Sequence, residues 1–490
     1  MERKRMLLLG GGHAELPLIM AAQALGYFVI TTGNAREGLG HPFANKNVFE
    51  DFSNKEAMLE LARREHVDVV CSGCNDFALL STAYVCEKLG LPGHDSYETS
   101  LQIHHKDKYR ALAERLDIPT PRAVSVRNRA EFDALFGTQG IASPSARNDI
   151  QPMQNGSLRH SGEQDDPLRY SGEQDDPLRH SGEQDDPLRH SGEQDGSLRH
   201  CEELCDEAIS LTFPVIVKPI DLTGGKGIHR AANYEEAVKA YEDAVSRTRE
   251  DHVVVEEFVT GTNHGFSAML VKGKVAFYFA DNEQYFVNKY MVSGASTPST
   301  TSNRGLQLLC EYSERIAAEL NLVDGILHIQ YIERDDGIPV IIEICRRPPG
   351  DLYIRFVQYA TGVNYPRAII LAETGELQLS DLVPAGAVET FDAAAADASA
   401  KFMPKVKPFL RHCVMASREG TVQGVTFAKE IADNVVEKFM WFEKGEPTGD
   451  ILYYKAGIVF LQFDTVQEML EKTAHMTEYI RVVLDDETSN

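Results

Sequence analysis

The chain has 490 residues, enough for about three domains at ~150 residues each. Its 43% hydrophobic and 25% charged residues are ordinary for a globular protein, and a net charge of −25 argues against a phosphate-backbone partner. Eight cysteines make no disulfide framework, no apolar run reaches the ~18 residues of a membrane span, and Met6–Leu9 is too short for a signal-peptide core. The expectation is a cytoplasmic protein with neither nucleic acid nor membrane as partner.

The run Met6–Gly10 predicts a strand, the spacing over His13–Gly26 a helix, and Tyr27–Thr31 a second strand. Ser53–His66 reads as helix, Val67–Cys71 as strand and Asp76–Leu89 as helix, an alternation that predicts a parallel doubly wound sheet. Gly10-Gly11-Gly12-His13 falls at the first strand-to-helix turn. A glycine loop there can approach a phosphate. Glu15, however, stands where the dinucleotide fingerprint needs a third glycine, which leaves a tight turn as the other reading. Cys71-Ser72-Gly73-Cys74 is either a redox motif or two buried thiols, with no second pair to complete a zinc site.

Asp107-Lys108 opens a helix over Tyr109–Leu116. A break follows. From Ser161 the ten residues SGEQDDPLRY recur four times with small changes, a period that fits neither a heptad nor a known solenoid. Each copy holds one Leu and little else to bury, so residues 137–201 are expected to be a disordered surface insertion. His160, His180, His190 and His200 recur in register, either as metal ligands or as composition alone.

Phe213–Pro219 reads as a β-branched strand that leads into Thr223-Gly224-Gly225-Lys226-Gly227. Val253–Phe258 is another strand with Glu256 and Glu257 at its end, and Ile326–Ile332 with Val340–Ile344 form a hairpin around Asp335-Asp336-Gly337. From about residue 400 the chain reads as strands and turns closed by a helix over Val466–Tyr479.

Three features carry chemistry. The glycines of 223–227 let backbone N–H groups face a phosphate and Lys226 adds charge, although glycines also make plain turns. Lys218 ends an apolar strand, where it either meets a phosphate or simply emerges into solvent. Gln330 and Glu343 lie on adjacent hairpin strands, and Cys345 is two residues further along the same face. Oxygen ligands so placed suit Mg²⁺, and Arg347 beside them suits a phosphate or a carboxylate; the alternative is a surface ion pair between Glu343 and Arg347.

In this order the pieces resemble the ATP-grasp superfamily of carboxylate–amine ligases, including L-amino-acid ligases and the carbamoyl-phosphate synthetase halves. The resemblance implies an α/β fold: a pre-ATP-grasp domain over 1–95, a two-lobed α+β ATP-grasp domain over 96–375 and a β-rich C-terminal lid over 376–490. It implies ATP and Mg²⁺ as cofactors. Lys108 and Lys218 match the two nucleotide-binding lysines, and Thr223, Gly224, Gly225, Lys226 and Gly227 the loop over the triphosphate. Glu256, Glu257, Phe258 and Val259 match the adenine hinge, with His264 near the ribose. Gln330, Glu343 and Cys345 match the magnesium positions, and Arg347 with Lys218 the catalytic cations. Cys345 stands where most relatives carry Asn, and a thiol is a poor magnesium ligand. The implied reaction joins a small carboxylate to an amino acid or similar small amine through an acyl phosphate, with a homodimer as the family default. The alternatives are an ATP-dependent carboxylase or purine-pathway ligase of the same fold, or a nucleotide binder without turnover.

Overall fold

Met6, Leu7, Leu8 and Leu9 are all fully buried, as a strand covered on both faces requires. They belong to β1 (Arg5–Leu9), the first element of a computed structural model that describes residues 3–136, 211–222, 225–384 and 406–485. The ten-residue repeat, its histidines, and Thr223 and Gly224 lie outside the described residues. The chain divides into two units, residues 1–132 with 211–490 and residues 133–210, and every sheet among the described residues lies in the first.

After β1 come α1 (Leu16–Ala24), β2 (Phe28–Thr32), β3 (Lys46–Val48), α2 (Lys55–Arg64), β4 (Val69–Cys71) and α3 (Asp76–Leu89). The four strands form a parallel sheet in the order β3-β2-β1-β4. Asn54 and Asn75 cap α2 and α3 by accepting the N–H of Ala57 and Phe77, and Gly90 ends α3 in a left-handed turn at φ 66°.

The chain continues through α4 (Tyr97–His104), α5 (Lys106–Arg115), β5 (Ala123–Val126), α6 (Arg129–Ala134), β6 (Val215–Pro219), β7 (His229–Ala231), α7 (Tyr234–Arg247) and β8 (Val253–Glu257). Strands β5-β8-β6-β7 form a small antiparallel sheet.

Next are β9 (Thr262–Val271), β10 (Lys274–Gln284), β11 (Gly294–Thr297), α8 (Asn303–Leu320), β12 (Gly325–Glu333), β13 (Pro339–Cys345), α9 (Tyr353–Thr361) and α10 (Tyr365–Glu373). The C-terminal elements are β14 (Phe409–Val414), β15 (Val422–Phe427), β16 (Val435–Met440), β17 (Gly457–Gln462), α11 (Val466–Ala474), α12 (Met476–Tyr479) and β18 (Ile480–Leu484). An eight-stranded antiparallel sheet runs β13-β12-β9-β10-β11-β14-β17-β16. The strands after residue 400 therefore continue this sheet through the β11–β14 ladder, while β15 and β18 pair apart.

One core joins the parallel domain to this sheet. Met6, Leu8 and Ile19 share it with Phe277 of β10, Phe356 of α9 and Ile369 of α10. A second core sets Leu309 and Ile316 of α8 with Tyr109 and Leu112 of α5 against Phe266 and Leu327. Helix α5 is thus fixed on its apolar side, which decides which of its basic residues turn inward. No helix among the described residues is long and apolar enough to cross a membrane.

Candidate active site

A cavity of about 700 Å³ lies between the small antiparallel sheet and the eight-stranded sheet. That is the size of a small-molecule site. A second hollow, beside His94 and Glu373, holds about 20 Å³ and has room for little more than a water.

One wall of the cavity is cationic. Lys218, at the end of β6, is buried with Nζ 2.6 Å from Glu256 Oε2. Arg110 of α5 donates to the other oxygen of Glu256 at 2.9 Å and to the Ile342 carbonyl at 2.8 Å. Lys106, also buried, donates to the carbonyls of Ile220 (3.3 Å) and Leu222 (3.1 Å). Two cations thus hold one carboxylate, and Lys106 acts on Lys218 from beside them. Burial would raise the Glu256 carboxyl, but Arg110 and Lys218 hold it below its ordinary range. Burial, together with Arg110 and Lys106, brings Lys218 down to about 8 despite Glu256. We read the pair as ionised, with positive charge left over for an incoming anion.

Lys108 does not reach this wall. It is an exposed residue 3.6 Å from Glu98. Lys106 and Arg110 are one helical turn apart and share the buried face of α5, whereas Lys108 is about 200° around from Lys106. Lys106, and not Lys108, lines the cavity.

At the glycine loop, Gly225 has φ 76° and approaches the Tyr290 carbonyl so closely that a Cβ would come within 2.6 Å of its oxygen. Gly227 is also left-handed, at φ 68°, and Lys226 leans over the Tyr453 ring, outside the cavity lining. At the hinge, Glu256 is spent on Lys218 and Arg110. The Glu257 carboxylate takes Arg122 at 2.9 Å, and the N–H groups of Glu257 and Phe258 donate to the carbonyls of Arg122 and Pro214. Val259 lines the cavity. His264 does not: it is buried against Tyr331, with its ring nitrogens at Thr262 Oγ1 (2.7 Å) and Ser299 Oγ (3.1 Å). Strand alternation turns its neighbour Asn263 to the cavity instead.

The opposite wall carries the β12–β13 hairpin. Gln330 and Glu343 are direct partners in its register. The Gln330 amide donates to Glu283 Oε1 at 2.9 Å, which leaves its own carbonyl oxygen as an acceptor. Glu343 is half-buried and makes no hydrogen bond or ion pair among the described residues. A carboxylate left so, beside an amide oxygen, fits a hard cation. Cys345 does not fit one. Its Sγ lies 3.4 Å from the Arg347 carbonyl, and burial pushes the thiol up to about 12, so it stays protonated. Among the described residues no three His, Cys, Asp or Glu side chains converge on one point. Magnesium tolerates this, because it takes most of its ligands from phosphates and water. Arg347 completes the wall, held through Nε and Nη2 by the two oxygens of Asp76 at 2.8 and 2.5 Å.

The N-terminal glycine loop is a packed turn. Glu15 accepts the N–H of Gly12 (2.9 Å) and of Cys74 (3.1 Å), and a Cβ on Gly11 would fall 2.0 Å from the His41 ring. The Gly12 N–H is thus matched to the chain's own carboxylate and that of Gly10 to the Thr32 carbonyl. Cys71 and Cys74 are free thiols, both raised by burial.

Sequence reasoning missed Lys106, Arg110, Asp281, Glu283 and Arg411, all of which line or brace the cavity. Two signals pointed there: Asp281 and Glu283 follow the apolar run of β10, and Arg411 is a cation within the largely apolar run Phe409–Val414.

The ATP-grasp domain family matches residues 201–351. Among curated relatives, the carbamoyl phosphate synthase large chain of Methanobrevibacter smithii is 28% identical over 179 residues, 36% of this chain and 16% of that protein. The chain therefore matches about a sixth of that relative's length. Among solved structures, the L-amino acid ligase of Bacillus licheniformis superposes at a TM-score of 0.66 and 15% identity, covering 99% of this chain and all of that one. The biotin carboxylase domain of the Hydrogenobacter thermophilus 2-oxoglutarate carboxylase, solved with MgADP and bicarbonate, gives 0.63 at 13% identity, covering 99% and 91%. Residues 201–351 thus match the ATP-grasp domain, and the described fold is similar to that of these structures.

Proposed function

We propose that the chain is an ATP-dependent ligase that joins a carboxylate to an amine. The observation that carries this is the opposition of two unbalanced walls. Arg110 and Lys218 share the single carboxylate of Glu256 with the buried Lys106 beside them, and across the cavity Glu343 makes no hydrogen bond or ion pair among the described residues. Buried charge persists only where something compensates it, and MgATP supplies both complements.

In this reading the triphosphate meets Lys106, Lys218 and the loop 223–227, and adenine lies against the hinge at Val259. Glu343 and the Gln330 carbonyl oxygen would hold a magnesium ion, which would supply charge neutralisation at the phosphates. A substrate carboxylate attacks the γ-phosphorus, giving an acyl phosphate and ADP, and the amine then displaces phosphate. Arg347, locked by Asp76, is placed to steady the acyl phosphate. No side chain of the protein need act as nucleophile; the chain supplies position and charge. Residues 1–95, 96–375 and 376–490 serve in this reading as the pre-ATP-grasp, ATP-grasp and lid domains.

The test is ADP formation that requires both a carboxylate and an amine, with the amide product seen by mass. ADP released with bicarbonate alone would turn the reading to a carboxylase. The neutral thiol of Cys345 at a magnesium position favours a second reading, a nucleotide binder without turnover. ATP binding with no ADP formed from any pair of small acids and amines would establish that reading.

A further inference from the structure

Four polar side chains on the cavity side of the eight-stranded sheet form a hydrogen-bonded row that MgATP does not need. His328 of β12 lines the cavity two residues before Gln330, between Ser267 of β9 and Cys345 of β13 in register. Its Nδ1 lies 2.7 Å from Ser267 Oγ. Ser267 Oγ donates to Tyr353 OH at 3.2 Å, and Tyr353 OH donates to Asp281 Oδ2 at 2.7 Å. All four residues are buried. Gly265 makes room for the end of the row: a Cβ there would come within 2.9 Å of Asp281 Oδ2.

The direction of the row is set at Asp281. An ionised carboxylate accepts and never donates, so Tyr353 gives its proton to Asp281. Arg411, on the same face, favours that ionised form. The Tyr353 oxygen then takes the single proton of Ser267, and Ser267 can only accept from the histidine. Nδ1 therefore carries the ring proton. A histidine is mostly neutral near pH 7, and burial with the Arg347 guanidinium nearby lowers this one further, to about 3. His328 is thus a neutral Nδ1–H tautomer whose Nε2 is an acceptor, with no hydrogen bond among the described residues.

An acceptor nitrogen at this corner selects its ligand. Phosphate and carboxylate oxygens are acceptors too and gain nothing from it. Arg347, whose charge His328 feels, is the residue placed to steady the acyl phosphate. The reactant that brings an N–H to the acyl carbon is the amine. We propose that His328 is a catalytic residue of the ligation: its Nε2 accepts a hydrogen bond from the incoming amine and holds the nitrogen lone pair on the acyl carbon. Ser267, Tyr353 and Asp281 are positioning residues that fix its tautomer. The neutral amine is the reacting form. Its nitrogen bonds to the acyl carbon, and the bond from that carbon to the phosphate oxygen breaks. One N–H stays on Nε2 and becomes the amide N–H; the other proton leaves with the phosphate as hydrogen phosphate. The inference rests on the ligase reading and adds to it a protein group at the amine.

The tautomer is read first. The full chain, ¹⁵N-labelled at histidine and loaded with Mg²⁺ and a non-hydrolysable ATP analogue, is studied by long-range ¹H–¹⁵N correlation at pH 8, above the Asp281 carboxyl at about 7. His328→Leu identifies the signal. His328 should show a protonated Nδ1 and an unprotonated Nε2. Tyr353→Phe removes the hydroxyl that takes the Ser267 proton and should shift the ring toward the Nε2–H form. Kinetics then separate the two steps, with whichever pair of common amino acids or small acids and amines forms most ADP. His328→Leu should lower amide formation about tenfold or more, the worth of one hydrogen bond at the transition state. Positional isotope exchange in ATP with the carboxylate alone follows acyl phosphate formation and should hold within about twofold, since no amine takes part. His328→Gln sets an amide oxygen near the Nε2 position and should recover part of the loss. Melting temperatures show that each variant is folded. A wild-type ring with its proton on Nε2, or His328→Leu with undiminished amide formation or with equal losses in both steps, would overturn the proposal and leave the ligase reading intact. No amide and no isotope exchange with any acid in wild type would overturn both.

Discussion

Arg347 and Asp76, 271 residues apart in sequence, form a two-point ion pair at 2.8 and 2.5 Å. Asp76 is the first residue of α3 in the parallel domain, and Arg347 follows β13 at the edge of the cavity. The parallel sheet's helix α3 therefore orients a cation at the edge of the cavity. Burial by itself raises the Asp76 carboxyl, but Arg347 outweighs burial and holds it below its ordinary range.

Asp76→Asn should therefore act on Arg347 rather than on the nucleotide. Expected is a fall in kcat of about tenfold or more with ATP affinity nearly unchanged, because one of two charge-assisted bonds is lost at a transition-state contact. The depressed Asp76 carboxyl contributes stability that is present above its unfolded value near 3.8 and lost as pH falls through its lower folded value. Acid unfolding of wild type should accordingly be steeper than that of Asp76→Asn. Equal kcat values for the two proteins would remove Arg347 from the chemistry.

The nucleotide wall gives a sharper contrast. Lys106→Met and Lys218→Met should each weaken MgATP binding by about ten- to hundredfold, the worth of one charge-assisted phosphate contact. Lys108→Ala should change it by less than about twofold, since its partner is the exposed Glu98 and such pairs contribute little. Adenosine binding should be nearly equal in all three, because Val259 and the backbone of Glu257 and Phe258 make no contact with these lysines. In Lys218→Met, Glu256 keeps Arg110, so the protein should still fold, with a lower melting temperature. A Lys108→Ala protein that binds MgATP as poorly as Lys106→Met would reverse the assignment.

The fold was largely legible because its signals are local. Alternating apolar runs set the parallel sheet, and the Asp336-Gly337 turn set the hairpin that brings Gln330 opposite Glu343. The site was legible only in part, because facing is decided elsewhere. Lys106 and Lys108 are two residues apart at one helix start, and the packing of Tyr109 and Leu112 of α5 against Phe266 and Leu327 turns the first inward. His264 and Asn263 are neighbours on β9, and the parity of that strand decides which one sees the cavity. The Glu283–Ala295–Arg411 row depends on β11 pairing with a strand far along the chain, which no local pattern announces.

Glu343→Gln should leave nucleotide binding within a few-fold of wild type and lower turnover by orders of magnitude, since a metal carboxylate acts mainly on the transition state. Cys345→Asn replaces a protonated thiol with an oxygen ligand of similar size. It should preserve activity or raise it, and should lower the Mg²⁺ concentration needed for half-maximal turnover. A Glu343→Gln protein that turns over like wild type would show that the metal lies elsewhere.

The last prediction concerns pH and Asp281. Burial is the largest influence on this carboxyl and Glu283 adds to it; the Tyr353 hydroxyl and Arg411 oppose them, and the net position is about 7. Because the folded value lies above the unfolded one near 3.8, the folded chain holds a proton between these values that the unfolded chain releases. Stability from this group is therefore full below about 4 and lost as pH rises toward 7, by on the order of 4 kcal/mol at most. Urea melts of Asp281→Asn should lack that decline, so the variant gains on wild type from pH 5 to pH 8. Equal stability profiles for the two proteins between pH 5 and pH 8 would show that the fold does not hold the Asp281 proton.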